Sequence, residues 1–173
     1  MTSNTTLPNR SACDVVGPSA DNSSSGFPNL DILVVEDNPI NRKVLGAYLR
    51  KINCPSVQLV ENGSLAVQAV EERMKSFDVI FMGLFMPVMD GFTATRNIRR
   101  IEIERRVTQS TPHPVSSAYI VALSRLLRDD CKENAFAAGV NEYLYQPVQF
   151  REVKTVLEQR ERKTPSNDQS DLS

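Results

Sequence analysis

The chain has 173 residues, a formal net charge of -1, 40% apolar and 24% charged side chains, the make-up of one ordinary globular domain with tails. So even a charge balance gives no electrostatic reason to bind nucleic acid or an anionic membrane surface, and no apolar run approaches bilayer-spanning length. Cys13, Cys54 and Cys131 lie far apart without CxxC spacing, the pattern of reduced thiols rather than of a disulfide framework or a zinc site.

Residues 1–29 are rich in Ser, Thr, Asn, Pro and Gly, too poor in large apolar groups to offset the entropy of ordering, and are expected to form a disordered tail. They lack the basic and apolar regions of a signal peptide, so the expected location is the cytoplasm or nucleus, and the Asn4-Thr5-Thr6 and Asn22-Ser23-Ser24 sequons are chance matches. From residue 30 to 160, short β-branched runs alternate with helical periodicity in five βα pairs, the signature of a doubly wound parallel sheet. Ile32 to Val35 is a continuous apolar run, as a strand covered on both faces requires. Asn38 and Pro39 predict a helix start, with Ile40, Val44, Leu45, Leu49 and Ile52 as its core stripe. Strands are predicted at 57–60, 79–82, 118–123 and 142–145, the third central because it is wholly apolar. Helices are predicted at 65–74, 91–103 and 127–138, with Gly139 ending the last in a left-handed conformation. A final helix buries Phe150, Val153, Val156 and Leu157. Residues 104–117 break the period and read as a long exposed connection, which makes His113, the one histidine, a loop residue. Residues 161–173 are expected to form a second disordered tail.

Several segments in order carry a resemblance. Ile32-Leu33-Val34-Val35-Glu36-Asp37-Asn38-Pro39, Met86-Pro87-Val88-Met89-Asp90-Gly91, Ile120-Val121-Ala122-Leu123-Ser124, Ala135-Phe136-Ala137-Ala138-Gly139 and Tyr143-Leu144-Tyr145-Gln146-Pro147-Val148 together resemble a response-regulator receiver domain. They are most similar to the receivers of fungal hybrid histidine kinases. The resemblance implies a flavodoxin-like fold: five parallel strands in the order 2-1-3-4-5, flanked by five helices.

It also implies a phosphorylation site at the strand ends, formed by Glu36, Asp37, Gly83, Ser124 and Gln146. Two of these depart from the family. Gly83 stands where the family has the acceptor aspartate, and glycine cannot be a nucleophile. Gln146 stands where the family has a lysine, so a neutral amide replaces a fixed cation. Both members of an ion pair are gone together, which avoids stranding a buried charge. By resemblance, Glu36, Asp37 and the backbone carbonyl of Phe85 would hold Mg²⁺, weakly with one carboxylate missing; an acidic loop capping the first helix explains the pair equally well. Arg125 is expected to reach Glu36 or Asp37 in place of the missing cation, and Tyr143 occupies the family's switch-aromatic position. Asp78 lies at the wrong end of its strand to accept phosphate, and Asp90 reads as a helix N-cap.

The reading that follows is a stand-alone, non-enzymatic pseudo-receiver that needs no cofactor. It binds a histidine phosphotransfer protein, a hybrid histidine kinase or a downstream signalling protein, independently of phosphorylation. Two alternatives stay open: a relay component phosphorylated at another residue, and a decayed fragment of a hybrid kinase.

Overall fold

The computed structural model describes residue 27 and residues 30–108 and 116–162. The tails and the middle of the long connection, with His113, lie outside the described residues. The elements run β1 (Asp31–Val35), α1 (Pro39–Lys51), β2 (Ser56–Val60), α2 (Gly63–Glu71), β3 (Val79–Gly83), α3 (Gly91–Thr108), β4 (Tyr119–Ser124), α4 (Asp129–Ala138), β5 (Glu142–Tyr145) and α5 (Phe150–Glu161). The sheet is parallel throughout in the order β2-β1-β3-β4-β5, the doubly wound flavodoxin-like order expected. β3 is buried at every position, which makes it the centre.

Alternation along the strands divides the core in two. Leu33, Val35, Ile80, Met82, Ile120 and Ala122 face α2 and α3, whereas Ile32, Val34, Val79, Phe81, Val121 and Leu123 face α1 and α5. Phe27 joins the second group at 3% exposure. The packed region therefore begins before residue 30, because a single large aromatic can anchor a stretch whose average composition is tail-like.

α1 corrects the expected stripe. Leu45, Leu49 and Ile52 are buried, but Ile40 and Val44 are 70% and 39% exposed. At about 100° per residue the first three cluster, while Ile40 and Val44 point more than about 100° away on the helix wheel. Together with Ala47 they form an apolar stripe facing out. The start signal is realised: Asn38 Oδ1 accepts from the amides of Ile40 and Asn41 at 2.9 and 3.2 Å.

Helix ends shift for identifiable reasons. α2 stops at Glu71 rather than 74, and α3 runs to Thr108 rather than 103. The two effects are linked: Arg105, on the added turn, donates to the carbonyls of Val70 and Glu71 at 2.8 and 3.1 Å, satisfying the orphan acceptors where α2 ends. Arg99 ties α3 to the starts of β4 and β5. Its guanidinium donates to the carbonyls of Ala118 and Gly139, to Asn141 and to the buried Glu102 at 2.7–2.9 Å. Gly139 ends α4 at φ 107°, as predicted.

Candidate functional site

The C-terminal ends of β1, β3, β4 and β5 surround a cleft of about 280 Å³, where an open parallel sheet places its ligand crevice. Glu36, Asp37, Gly83, Phe85, Ser124, Arg125 and Gln146 all line it, so these sequence-separated positions come together. Parallel register does this: Val35 pairs with Met82, Gly83 with Leu123, and Ser124 with Tyr145.

Glu36 is 2% exposed and its carboxylate is held by neutral donors. Oε1 accepts from the Asn38 amide at 3.3 Å and from Asn41 Nδ2 at 3.2 Å. Oε2 accepts from Gln146 Nε2 at 2.7 Å. A buried carboxylate needs such partners, and the amide of Gln146 reaches it across 110 positions of sequence. The cation nearest the acidic loop is one the sequence reading missed. Arg42 Nη1 donates to the carbonyls of Glu36 and Asp37 at 2.6 and 3.3 Å, and Nη2 lies 3.9 Å from Glu61. Its place one helical turn after the Asn38 cap was the available signal. Arg125 does not take the predicted role. It is exposed, and among the described residues it forms no hydrogen bond or ion pair with Glu36 or Asp37; Gln146 already fills that place on Glu36.

Gly83 ends β3 with no side chain to offer. A Cβ there would sit 3.1 Å from the Val35 carbonyl oxygen and 3.3 Å from Met86 Sδ, so the thioether occupies ground next to the acceptor position. The loop behind it is closely seated. A Cβ on Gly91 would fall 2.2 Å from the Gly83 oxygen, a separation only glycine permits, and the Gly91 amide donates to Leu84 at 2.9 Å. Val88 in the same loop has φ 68° and is 85% exposed.

Ser124 Oγ accepts from the Leu126 amide at 3.1 Å, and the Tyr143 hydroxyl donates to the Leu126 carbonyl at 3.3 Å. Both groups fasten the β4–α4 loop. Burial pushes the Tyr143 phenol up in pKa, with the Ser124 hydroxyl bond opposing it. Asp78 is at the far end of the sheet, where it accepts from the Asp31 amide at 2.8 Å. Asp90 caps α3 through Thr93, at 2.8 Å to the amide and 3.0 Å to the hydroxyl.

For a divalent metal the donor set falls short. Both Glu36 oxygens are engaged, Gly83 brings no carboxylate, and Asp37 with the Phe85 carbonyl would remain. Mg²⁺ demands near-octahedral oxygen coordination, and among the described residues no group of three acidic, His or Cys side chains converges. The residues present do not fit Mg²⁺ as a tight ligand.

Residues 32–158 match the family described as the response regulator receiver domain. The osmolarity two-component system protein SSK1 of Saccharomyces cerevisiae is 36% identical over 137 residues, covering 70% of this chain and 19% of that protein. The chain spans between 5% and 26% of the length of such curated relatives. Among solved structures, the receiver domain of Ssk1 in co-crystals with the histidine phosphotransfer protein Ypd1 is 33% identical at a TM-score of 0.67, covering 76% of this chain and 88% of that one. The receiver of the Pseudomonas aeruginosa sensor histidine kinase PA1611, with a magnesium ion in its active-site cleft, is 37% identical at a TM-score of 0.61, covering 75% and 95%. Sheet order, cleft position and a family match over most of the chain agree: this protein belongs to the response-regulator receiver domain family.

Proposed function

We propose that this chain is a degenerate receiver in phosphorelay signalling, which docks a histidine phosphotransfer protein, a hybrid histidine kinase or a downstream signalling protein without accepting phosphate. The observation that carries the reading is the paired replacement in the cleft. Gly83 presents no nucleophile, Met86 sits against the vacated position, and Gln146 gives its amide to Glu36 at 2.7 Å. Neutral hydrogen bonds thus satisfy what a charge pair would otherwise have to satisfy.

Docking is supported by the outward stripe of Ile40, Val44 and Ala47 on α1, beside the cleft. Single exposed apolar residues are ordinary, whereas a stripe along one helix face is what a helical partner packs on. The Ssk1 receiver, similar along most of this chain, binds Ypd1. An acceptor elsewhere is disfavoured because Asp90 is engaged by Thr93 and Asp78 lies at the opposite sheet end. On this reading the domain is not an enzyme, holds Mg²⁺ only weakly, and works in the cytoplasm or nucleus. Among the described residues no helix is long and apolar enough to cross a membrane.

The test combines intact mass with binding. The protein is mixed with Mg²⁺ and a phosphorylated histidine phosphotransfer protein from its own cell, alongside Gly83→Asp/Gln146→Lys. Docking without a phosphoryl mass gain in the natural chain, and with gain in the double variant, is the expected result. A phosphoryl adduct on the natural chain overturns the reading.

A further inference from the structure

The chemistry lost from the cleft also sets which state of a phosphotransfer partner it tolerates. Among the described residues the cleft is lined by two carboxylates, Glu36 and Asp37, and one guanidinium, Arg125. Glu36 is 2% exposed and compensated only by neutral donors. Asp37 makes no side-chain hydrogen bond or ion pair among the described residues, so its charge faces the cleft unneutralised. Arg125 also lines the cleft but is exposed, so solvent screens its charge. Arg42, the other nearby cation, is committed to the carbonyls of Glu36 and Asp37 and lies toward Glu61. No lysine follows β5, and the donor set holds a divalent cation only weakly.

A phosphoryl group on a partner histidine brings close to two negative charges at neutral pH. Seated at this cleft it would meet like charge in a partly desolvated space, and like-charge juxtaposition is the usual means by which interfaces reject a wrong partner. A bare imidazole is neutral or singly positive and meets no such penalty. We infer that this receiver selects the unphosphorylated form of a histidine phosphotransfer protein, with Asp37 as the specificity-determining side chain. The inference rests on the docking proposed above and adds its direction. Such a domain would sequester phosphotransfer protein that has already discharged, leaving the charged form free for competent receivers.

The experiment is a pair of dissociation constants, measured with the full chain and one phosphotransfer protein before and after treatment with phosphoramidate, with and without Mg²⁺. The natural chain should bind the unphosphorylated form about tenfold more tightly. Asp37→Asn should narrow the ratio to about threefold, and Gly83→Asp alone, which adds a carboxylate, should widen it when measured without Mg²⁺. Raising the salt should shrink the ratio. Equal affinity for both forms, or tighter binding of the phosphorylated one, overturns the inference while leaving docking intact. Failure to bind either form instead overturns the docking proposal on which it rests. Asp37→Gln as a second variant separates charge from local packing: a ratio that returns to the natural value there removes Asp37 from the role.

Discussion

If Gln146 and Gly83 form a compensated pair, restoring the acceptor carboxylate alone should hurt more than restoring it together with the lysine. Gly83→Asp alone places a third carboxylate near Glu36, which is 2% exposed and, among the described residues, is held by neutral donors only. Its Cβ is also 3.1 Å from the Val35 carbonyl oxygen, so the strand must give by a few tenths of an ångström. An unpaired charge in such surroundings costs about 3 kcal/mol. Gln146→Lys alone exchanges a 2.7 Å amide bond to Glu36 for an ammonium facing two carboxylates, a change expected to stay within about 1 kcal/mol of neutral. In the double variant the new ammonium and carboxylate sit side by side. At an effective dielectric near 20 and about 4 Å, their attraction is about 4 kcal/mol, of which ordering and lost hydration leave roughly half. The coupling energy in a double-mutant cycle should therefore be about 2 kcal/mol. With a urea slope of roughly 1.5 kcal/mol/M, Gly83→Asp lowers the unfolding midpoint by about 2 M, and adding Gln146→Lys recovers about 1.3 M. Equilibrium urea denaturation of the four proteins measures it. A coupling below about 0.5 kcal/mol would refute the idea that these two positions compensate each other, whatever the double variant does with phosphate.

Two further outcomes follow from local geometry. Val88 is β-branched, 85% exposed and held at φ 68°, so Val88→Asn should raise stability by about 1 kcal/mol, read as a higher urea midpoint; an unchanged or lower midpoint would show that the loop does not hold strain there. Cys54 is buried, and burial pushes its thiol up to about 11, with Glu161 adding to the shift. At pH 8 about one Cys54 thiol in a thousand is ionised, so iodoacetamide should spare it in the folded protein and modify it after urea unfolding. Because this thiol is raised above its unfolded value near 9, its contribution to stability is intact below that pH and declines as pH rises past it. Modification of native Cys54 at the unfolded rate would contradict the burial.

The sheet order was legible because wholly buried strands write themselves as apolar runs, and β3, buried at all five positions, is the plainest. Gly83 and Gln146 were legible too, since one closes β3 and the other follows β5 in segments whose neighbours keep a recognisable pattern. What the sequence could not specify is which donor a buried carboxylate finds. Arg125 is adjacent to Ser124 in sequence and lines the cleft, yet it is Gln146 and Asn41 that supply the side-chain bonds to Glu36. Hydrogen-bond choice depends on loop trajectories that no periodicity encodes. The misassigned stripe of α1 has a different origin: Ile40 and Val44 are apolar, as core residues are, but their angular position on the helix puts them outside. Such a residue looks the same in sequence whether it packs on a sheet or on a partner. The length of α3 was missed for a third reason, because the stabilising contact of Arg105 lies on another helix.

The cleft combines two features that a simply damaged site would not be expected to share. Loss of the lysine alone would leave three carboxylates crowding each other, and loss of the nucleophile alone would leave a lysine facing only Glu36 and Asp37; the paired change closes the site with neutral hydrogen bonds instead. Here the loops remain satisfied. Asn38 caps α1 while its backbone amide serves Glu36, Asn41 turns from the first turn of the same helix to that carboxylate, and Gln146 closes from β5. These bonds connect the start of α1 directly to the residue that follows β5. The apolar stripe of Ile40, Val44 and Ala47 is therefore presented in one fixed setting. On the proposed reading, selectivity at this surface follows the partner's chemical state, since Gly83 offers no side chain whose phosphorylation could alter the bonds that hold the surface in place.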